Sequence, residues 1–205
     1  MKTKHERSWA LAFCGMLIVA GLTVGQKSPG QQGPTAPKKA LTPEQKIFQQ
    51  QGREYMNNRQ SLQAQAKQIF DAERARENAG DCRNAQTTID INICFGKQGA
   101  ITEQTLKSYE GIIQRLMAPA PRMPGGARTE MPRPGGPALT PKELSDEFER
   151  VEKAWQEYRE TACTAAFHQF SGGTGGPSFE GQCELKLTRD HMRELDMIYG
   201  GAVHR

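Results

Sequence analysis

No stretch of this chain alternates apolar and polar residues over the length of a strand, so helix is the regular structure its pattern supports. The motifs of familiar hydrolytic chemistry are missing too: there is no Gly-x-Ser-x-Gly and no His-Glu-x-x-His. Without them the chain reads as a binding protein rather than an enzyme, with no catalytic residue and no cofactor assigned. Long apolar runs are limited to one, from Ala10 to about Val24, short of the roughly 20 residues of a stable membrane span. Charge excess is also small. Residues 26–80 hold nine Lys/Arg against five Asp/Glu, net +4, and 81–199 hold fourteen against seventeen, net −3. A mildly basic segment followed by a mildly acidic one calls for no nucleic-acid partner.

What is present starts with an export signal. Lys2, Lys4 and Arg7 precede the apolar run, and small residues near 21–25 suit cleavage. Residues 1–25 therefore read as a signal peptide, and the protein as periplasmic or secreted. A membrane is involved only if that segment stays uncleaved. Cys14 leaves with the signal, so four of the five cysteines remain: Cys82, Cys94, Cys163 and Cys183. An even set in an exported chain favours two disulfides and leaves no free thiol. Three connectivities are open. The spacing favours the two local ones, Cys82–Cys94 and Cys163–Cys183, each closing a short ring worth roughly 3 kcal/mol in the chain-entropy picture.

Residues 26–43 (QKSPGQQGPTAPKKALTP) have the composition of a disordered linker. Residues 44–80 read as a basic helical arm that starts at Thr42-Pro43. Phe48, Tyr55, Leu62 and Ile69 form a seven-residue seam on it, suited to packing on the rest of the chain or to self-association. From 81 to 199 the pattern is a small helical bundle, interrupted at 118–141 by a Pro/Gly-rich insertion whose three arginines serve solubility; 200–205 is a tail. Thr87 with Asp90 opens a short helix through Ile89, Ile93 and Cys94. The chain from 82 to 87 runs back along that helix to bring Cys82 near Cys94. A helix from Thr102 to Met117 follows. The strongest one, Lys142 to about Phe167, presents Leu144, Phe148, Val151, Trp155, Tyr158 and Ala162 to a core and Glu143, Asp146, Glu147, Glu149, Glu152, Glu157 and Glu160 to solvent. The last helix, about Gln182 to Tyr199, presents Leu185, Met192, Leu195 and Ile198. The expected fold class is thus all-α, a small bundle stapled by two disulfides and preceded by a helical arm.

Three constellations have ordinary explanations. The loop from Ser171 to Pro177 is Gly-rich but lacks the Lys-Ser/Thr of a phosphate loop and follows no strand. Cys163, His168, Cys183 and His191 match no common zinc spacing, and no metal site is assigned. The glutamates of the 142–167 helix occupy its polar face, where solvation accounts for them and no desolvated proton donor is expected. Trp155 is expected in the core, and Arg159, beside Glu160, in an ion pair that orients helices.

At these residues the chain resembles the LprI-type lysozyme-inhibitor family of small exported helical domains with paired cystines. The likeness is carried by Asp81-Cys82 with Thr87/Thr88, Asn92 and Cys94; by Leu106 and Tyr109; by Ala154-Trp155-Gln156-Glu157-Tyr158-Arg159 leading to Cys163; and by Gly172-Gly173, Cys183, Thr188-Arg189 and Leu195. Thr105-Leu106 stands where the family usually has Leu-Asn before the central tyrosine. The resemblance covers about 81–199 and implies a protein that blocks a lysozyme by protein–protein contact. Animal-type lysozymes are cationic, so the acidic 81–199 segment suits that partner. Cleft occlusion usually takes a protruding loop, which makes the Gly-rich 171–181 loop the expected contact, with Phe179 as apolar anchor and Glu180 as charge partner. The alternative is an envelope interaction module that binds another protein, peptidoglycan or an anionic surface through its basic arm without inhibiting lysozyme.

Overall fold

The computed structural model describes residues 40–121, 139–170 and 173–204. The expected signal peptide, the expected linker as far as residue 39 and most of the expected 118–141 insertion lie outside them. Among the described residues there are four helices and no strand: α1 (Pro43–Ala79), α2 (Thr88–Leu116), α3 (Pro141–His168) and α4 (Gly176–Val203). They belong to one compact unit, Leu41–Arg205. None of them is long and apolar enough to cross a membrane.

Three of the four helices start on the same chemistry. Thr42, Thr87 and Thr140 each accept from the amide three residues on, and Gln45, Asp90 and Glu143 return a side chain to the cap amide. Two exposed backbone donors are satisfied at each start, worth about 1 kcal/mol apiece. α4 starts differently, on Gly175 with Pro177 in its first turn.

α4 lies at the centre, packed against α1, α2 and α3. The core between them is Leu62 and Ala66 from α1, Leu106, Tyr109, Ile112, Ile113 and Leu116 from α2, Phe148 from α3, and Met192, Leu195 and Val203 from α4. Phe70 packs on Tyr109 and Phe148 on Tyr199, at ring separations of 5.9 and 5.4 Å. α1 packs here through the second half of the expected seam, Leu62 and Ile69, with Ala66 and Phe70 beside it. It also finishes the other helices: Arg59 donates to the carbonyls of Leu116 and Ala202 at 2.8 and 3.2 Å, and Gln63 to Ala202 at 2.9 Å. A cation there meets both the unpaired carbonyls and the negative end of the helix dipoles.

The disulfides are the two local ones, Cys82–Cys94 and Cys163–Cys183, with Cα separations of 5.7 and 5.4 Å. The first depends on a reversal after α1. Gly80 (φ 79°) and Cys82 (φ 55°) both take the left-handed region, and the chain turns through 81–84 to run back beside α2. The φ of Gly80 is one that side chains rarely adopt, so this position favours glycine.

Four expectations are corrected. The short helix at Thr87 and the one at Thr102 are a single helix, α2, which runs through Gly96 and Gly99. Each glycine costs only about 1 kcal/mol, less than is gained by keeping a helix tied at Cys94 and packed at Leu106. The Gly-rich loop ends at Gly175, because Pro177 is preorganised for a first helical turn; Phe179 and Glu180 are therefore helical. Tyr158 is 61% exposed and Ile198 54%, so neither faces the core. Glu152, expected on the solvent face of α3, is 8% exposed. The inward line on α3 runs through buried Phe148, Glu152 and Cys163 with half-buried Trp155 and Arg159 between them, and Tyr158 sits about 100° around the helix from Arg159.

Candidate functional site: an acidic cleft between α2, α3 and α4

The site rests on a buried ionic network. Arg189 of α4, only 4% exposed, donates to Glu73 of α1 at 2.7 Å and grips both oxygens of Asp81 in the turn, one of them at 2.9 Å. Glu73 also accepts from Thr102 of α2 at 2.9 Å and from Arg76, and Arg76 donates to Thr102 at 3.0 Å. Burial works against the charge on Arg189. The hydrogen bonds and charges of Asp81 and Glu73 outweigh it, and the guanidinium pKa is raised. α1, the cystine turn, α2 and α4 are thereby fixed to one another at a single point.

On the opposite side of α4, His191 is 2% exposed, and its Nε2 lies 3.1 Å from both oxygens of Glu152. Its Nδ1 faces Glu194 at 3.4 Å. The Trp155 indole stacks on the imidazole at 4.1 Å and 7°, and the Arg159 guanidinium lies 4.7 Å over the indole. Arg159 also donates to Thr188 of α4 at 3.2 Å and pairs with Glu103 of α2 at 3.6 Å. The expected ion pair of Arg159 thus exists, with Glu103 rather than Glu160 as its partner.

Glu110 of α2 completes this side. Burial, then the charge of Glu152 and a hydrogen bond with it, push the Glu110 carboxyl up to about 8. A clustered, perturbed carboxyl pair is the signature sought in an enzyme site. These two carboxyls, however, are hydrogen-bonded to each other. Glycosidase pairs stand at least about 5 Å apart to flank a bond, whereas this pair can share a proton or hold a cation.

Glu110, Trp155 and Arg159 open onto a cleft of about 530 Å³ that Glu103, Glu160, Glu180 and Glu184 also line. Five carboxyl groups there face only Lys107 and Arg159 as counter-charges. Burial raises the Glu184 carboxyl, Arg159 opposes that, and the neighbouring charges of Glu180 and Glu103 add to it. Crowded carboxyls of this kind favour a cation brought by a partner. Glu180 is therefore on the rim of the cleft, while Phe179 points to a different side of α4. Phe179 stacks on Phe170 at 3.7 Å and 8°, and the two rings are 42% and 39% exposed. Sequence reasoning missed Glu110, Glu152 and His191. The weak signal available was that Glu152 falls one helical turn after Phe148 and one before Trp155, on the side of α3 that carries Cys163.

The family described as "Lysozyme inhibitor LprI" matches residues 79–195. The chain belongs to the LprI lysozyme inhibitor family. It is also similar to an uncharacterized protein of Rhizobium meliloti (strain 1021), 25% identical over 139 residues, 62% of this chain and 85% of that relative. No solved structure matches the chain. The LprI span takes in all four disulfide cysteines, and the residues of the resemblance now have physical roles. Asp81 and Arg189 are partners in the buried network, and Thr188 receives Arg159. Trp155 covers His191, and Tyr109 donates to Asp196 at 2.7 Å. The two cystines and the inhibitor family together fit an exported protein with a protein partner.

Proposed function

We propose that this protein is an exported, periplasmic or secreted, binding protein that inhibits a lysozyme by protein–protein contact. The observation that carries the reading is the acidic cleft, on a chain of the LprI family. Lysozymes of the animal type are cationic, and a cleft lined by Glu103, Glu160, Glu180 and Glu184 offers a seat for a lysine or arginine of such a partner. The exposed Phe170–Phe179 pair, formed between the turn after α3 and the start of α4, supplies the aromatic surface on which contact energy concentrates. Glu180 acts as charge partner and Phe179 as apolar anchor, both presented by a rigid helix start rather than by a loop. The function is one of binding, with no step of covalent chemistry.

The test is a lysozyme turbidity assay with the oxidised full-length protein, using chicken-type and goose-type lysozymes in parallel. Saturable inhibition is expected. The double reversal Glu180→Lys/Glu184→Lys should weaken it by at least tenfold, about 1.4 kcal/mol, and Phe179→Ala by a similar factor. Inhibition unaffected by the reversal would remove the cleft from the interface. A folded, oxidised protein that inhibits neither enzyme would overturn the reading in favour of envelope attachment without inhibition.

A further inference from the structure

Three donor side chains of the metal-binding type converge from three different helices: Glu110 from α2, Glu152 from α3 and His191 from α4. One ligand atom of each lies within 4.8 Å of the others. An ion with bonds of about 2.0–2.2 Å in tetrahedral geometry needs ligand atoms about 3.3–3.6 Å apart. The 3.1 Å between His191 Nε2 and each Glu152 oxygen and the 4.8 Å outer limit bracket that spacing. Small side-chain adjustments are enough to close it around an ion.

The surroundings go beyond a chance gathering of acids. His191 is 2% exposed, and its second ring nitrogen faces the Glu194 carboxylate. With an ion on Nε2, the Nδ1 proton would face Glu194, the carboxylate–imidazole arrangement that supports a metal-bound histidine. The Trp155 ring, parallel to the imidazole, fixes the plane in which Nε2 points. Glu110 opens onto the cleft, which provides an entry path and a fourth position for water. Carboxylate and imidazole oxygens and nitrogens without thiolate suit zinc and its first-row neighbours.

We propose that Glu110, Glu152 and His191 form a site for a divalent transition-metal ion of the zinc class. The ion ties α3 to α2 and α4 at the floor of the acidic cleft. α3 follows a long Pro/Gly-rich connection, and its covalent tie to the bundle is the Cys163–Cys183 bridge to α4. The metal supplies a second tie and joins α3 to α2. This assignment is independent of lysozyme inhibition.

The experiment is calorimetric titration of chelator-treated, oxidised full-length protein with zinc chloride, together with thermal melts with and without the ion. One ion per chain and a raised Tm are expected. Glu110→Gln keeps the shape, relieves the contact between two carboxyls and should leave the fold intact by circular dichroism. It should weaken zinc binding by ten- to a hundredfold and abolish the rise in Tm. His191→Asn should do the same, and His204→Ala, remote from the site, should change nothing. No zinc binding by the wild-type protein would overturn the assignment. So would binding that survives in Glu110→Gln or disappears in His204→Ala.

Discussion

Arg189 is the side chain on which most of the polar interior depends. It meets two carboxylates, Glu73 and Asp81, that the fold withdraws from water; Glu73 also has Arg76 and Thr102, and Asp81 relies on Arg189 for both its oxygens. Replacing one member of a buried ionic group leaves the others uncompensated and typically costs about 3–5 kcal/mol. Arg189→Ala is therefore expected to lower stability by about that amount in urea denaturation. Arg189→Lys keeps the charge but loses the two-pronged grip on Asp81 and should fall in between. Glu110 gives a second residue-scale prediction, through pH. Its carboxyl holds a proton up to about 8 in the folded protein and releases it near its ordinary value of 4.5 when unfolded. Between those values the folded state carries the extra proton. Its stabilising contribution is complete below about 4.5 and is lost as pH rises through 8. For chelator-treated protein the Tm should fall across that window. Glu110→Gln should flatten the fall and give the higher Tm at pH 8.

At the scale of the element, the helices were legible because their signals are local. Thr42-Pro43 and Thr87 with Asp90 mark two starts by chemistry contained within four residues. The two cystine pairings were favoured because each closes a short ring. The interior of α2 was not legible locally: between Cys94 and Thr102 lie Gly96 and Gly99, both poor helix formers, whereas helix ends are decided by the balance of propensity against packing over the whole element. A Cβ at either glycine would meet nothing within 4 Å. Gly96→Ala and Gly99→Ala should each therefore stabilise the protein by about 0.5–1 kcal/mol, read as an increased urea midpoint at unchanged slope. A loss of stability in either variant would mean that α2 is not continuous there. The candidate site was illegible for a different reason. Glu73 and Arg189 are 116 residues apart, and Glu152 and His191 are 39 apart. No local pattern distinguishes a glutamate that will be buried against a histidine from one that will face water.

At the scale of the whole molecule, α1 is more than an arm beside a cystine domain. The LprI match begins at residue 79, at the very end of α1. Yet α1 supplies Leu62 and Ala66 to the core, Glu73 to Arg189, and Arg59 to the carboxyl ends of α2 and α4. A chain beginning at residue 81 would keep both cystines and lose all of these. Arg189 would retain only Asp81, and the α2 and α4 faces that α1 covers, including Leu116 and Val203, would meet water. Burial of a side chain the size of leucine contributes about 1.5–3 kcal/mol, and small domains have total stabilities of only about 5–15 kcal/mol. Residues 81–205 alone are therefore expected to stay helical in far-ultraviolet circular dichroism, held by the cystines, but to unfold without a sharp transition. The full-length oxidised protein should unfold cooperatively. A fragment that melts as sharply as the full chain would show that the cystine-bound helices form a core of their own, and the acidic cleft could then be studied without α1.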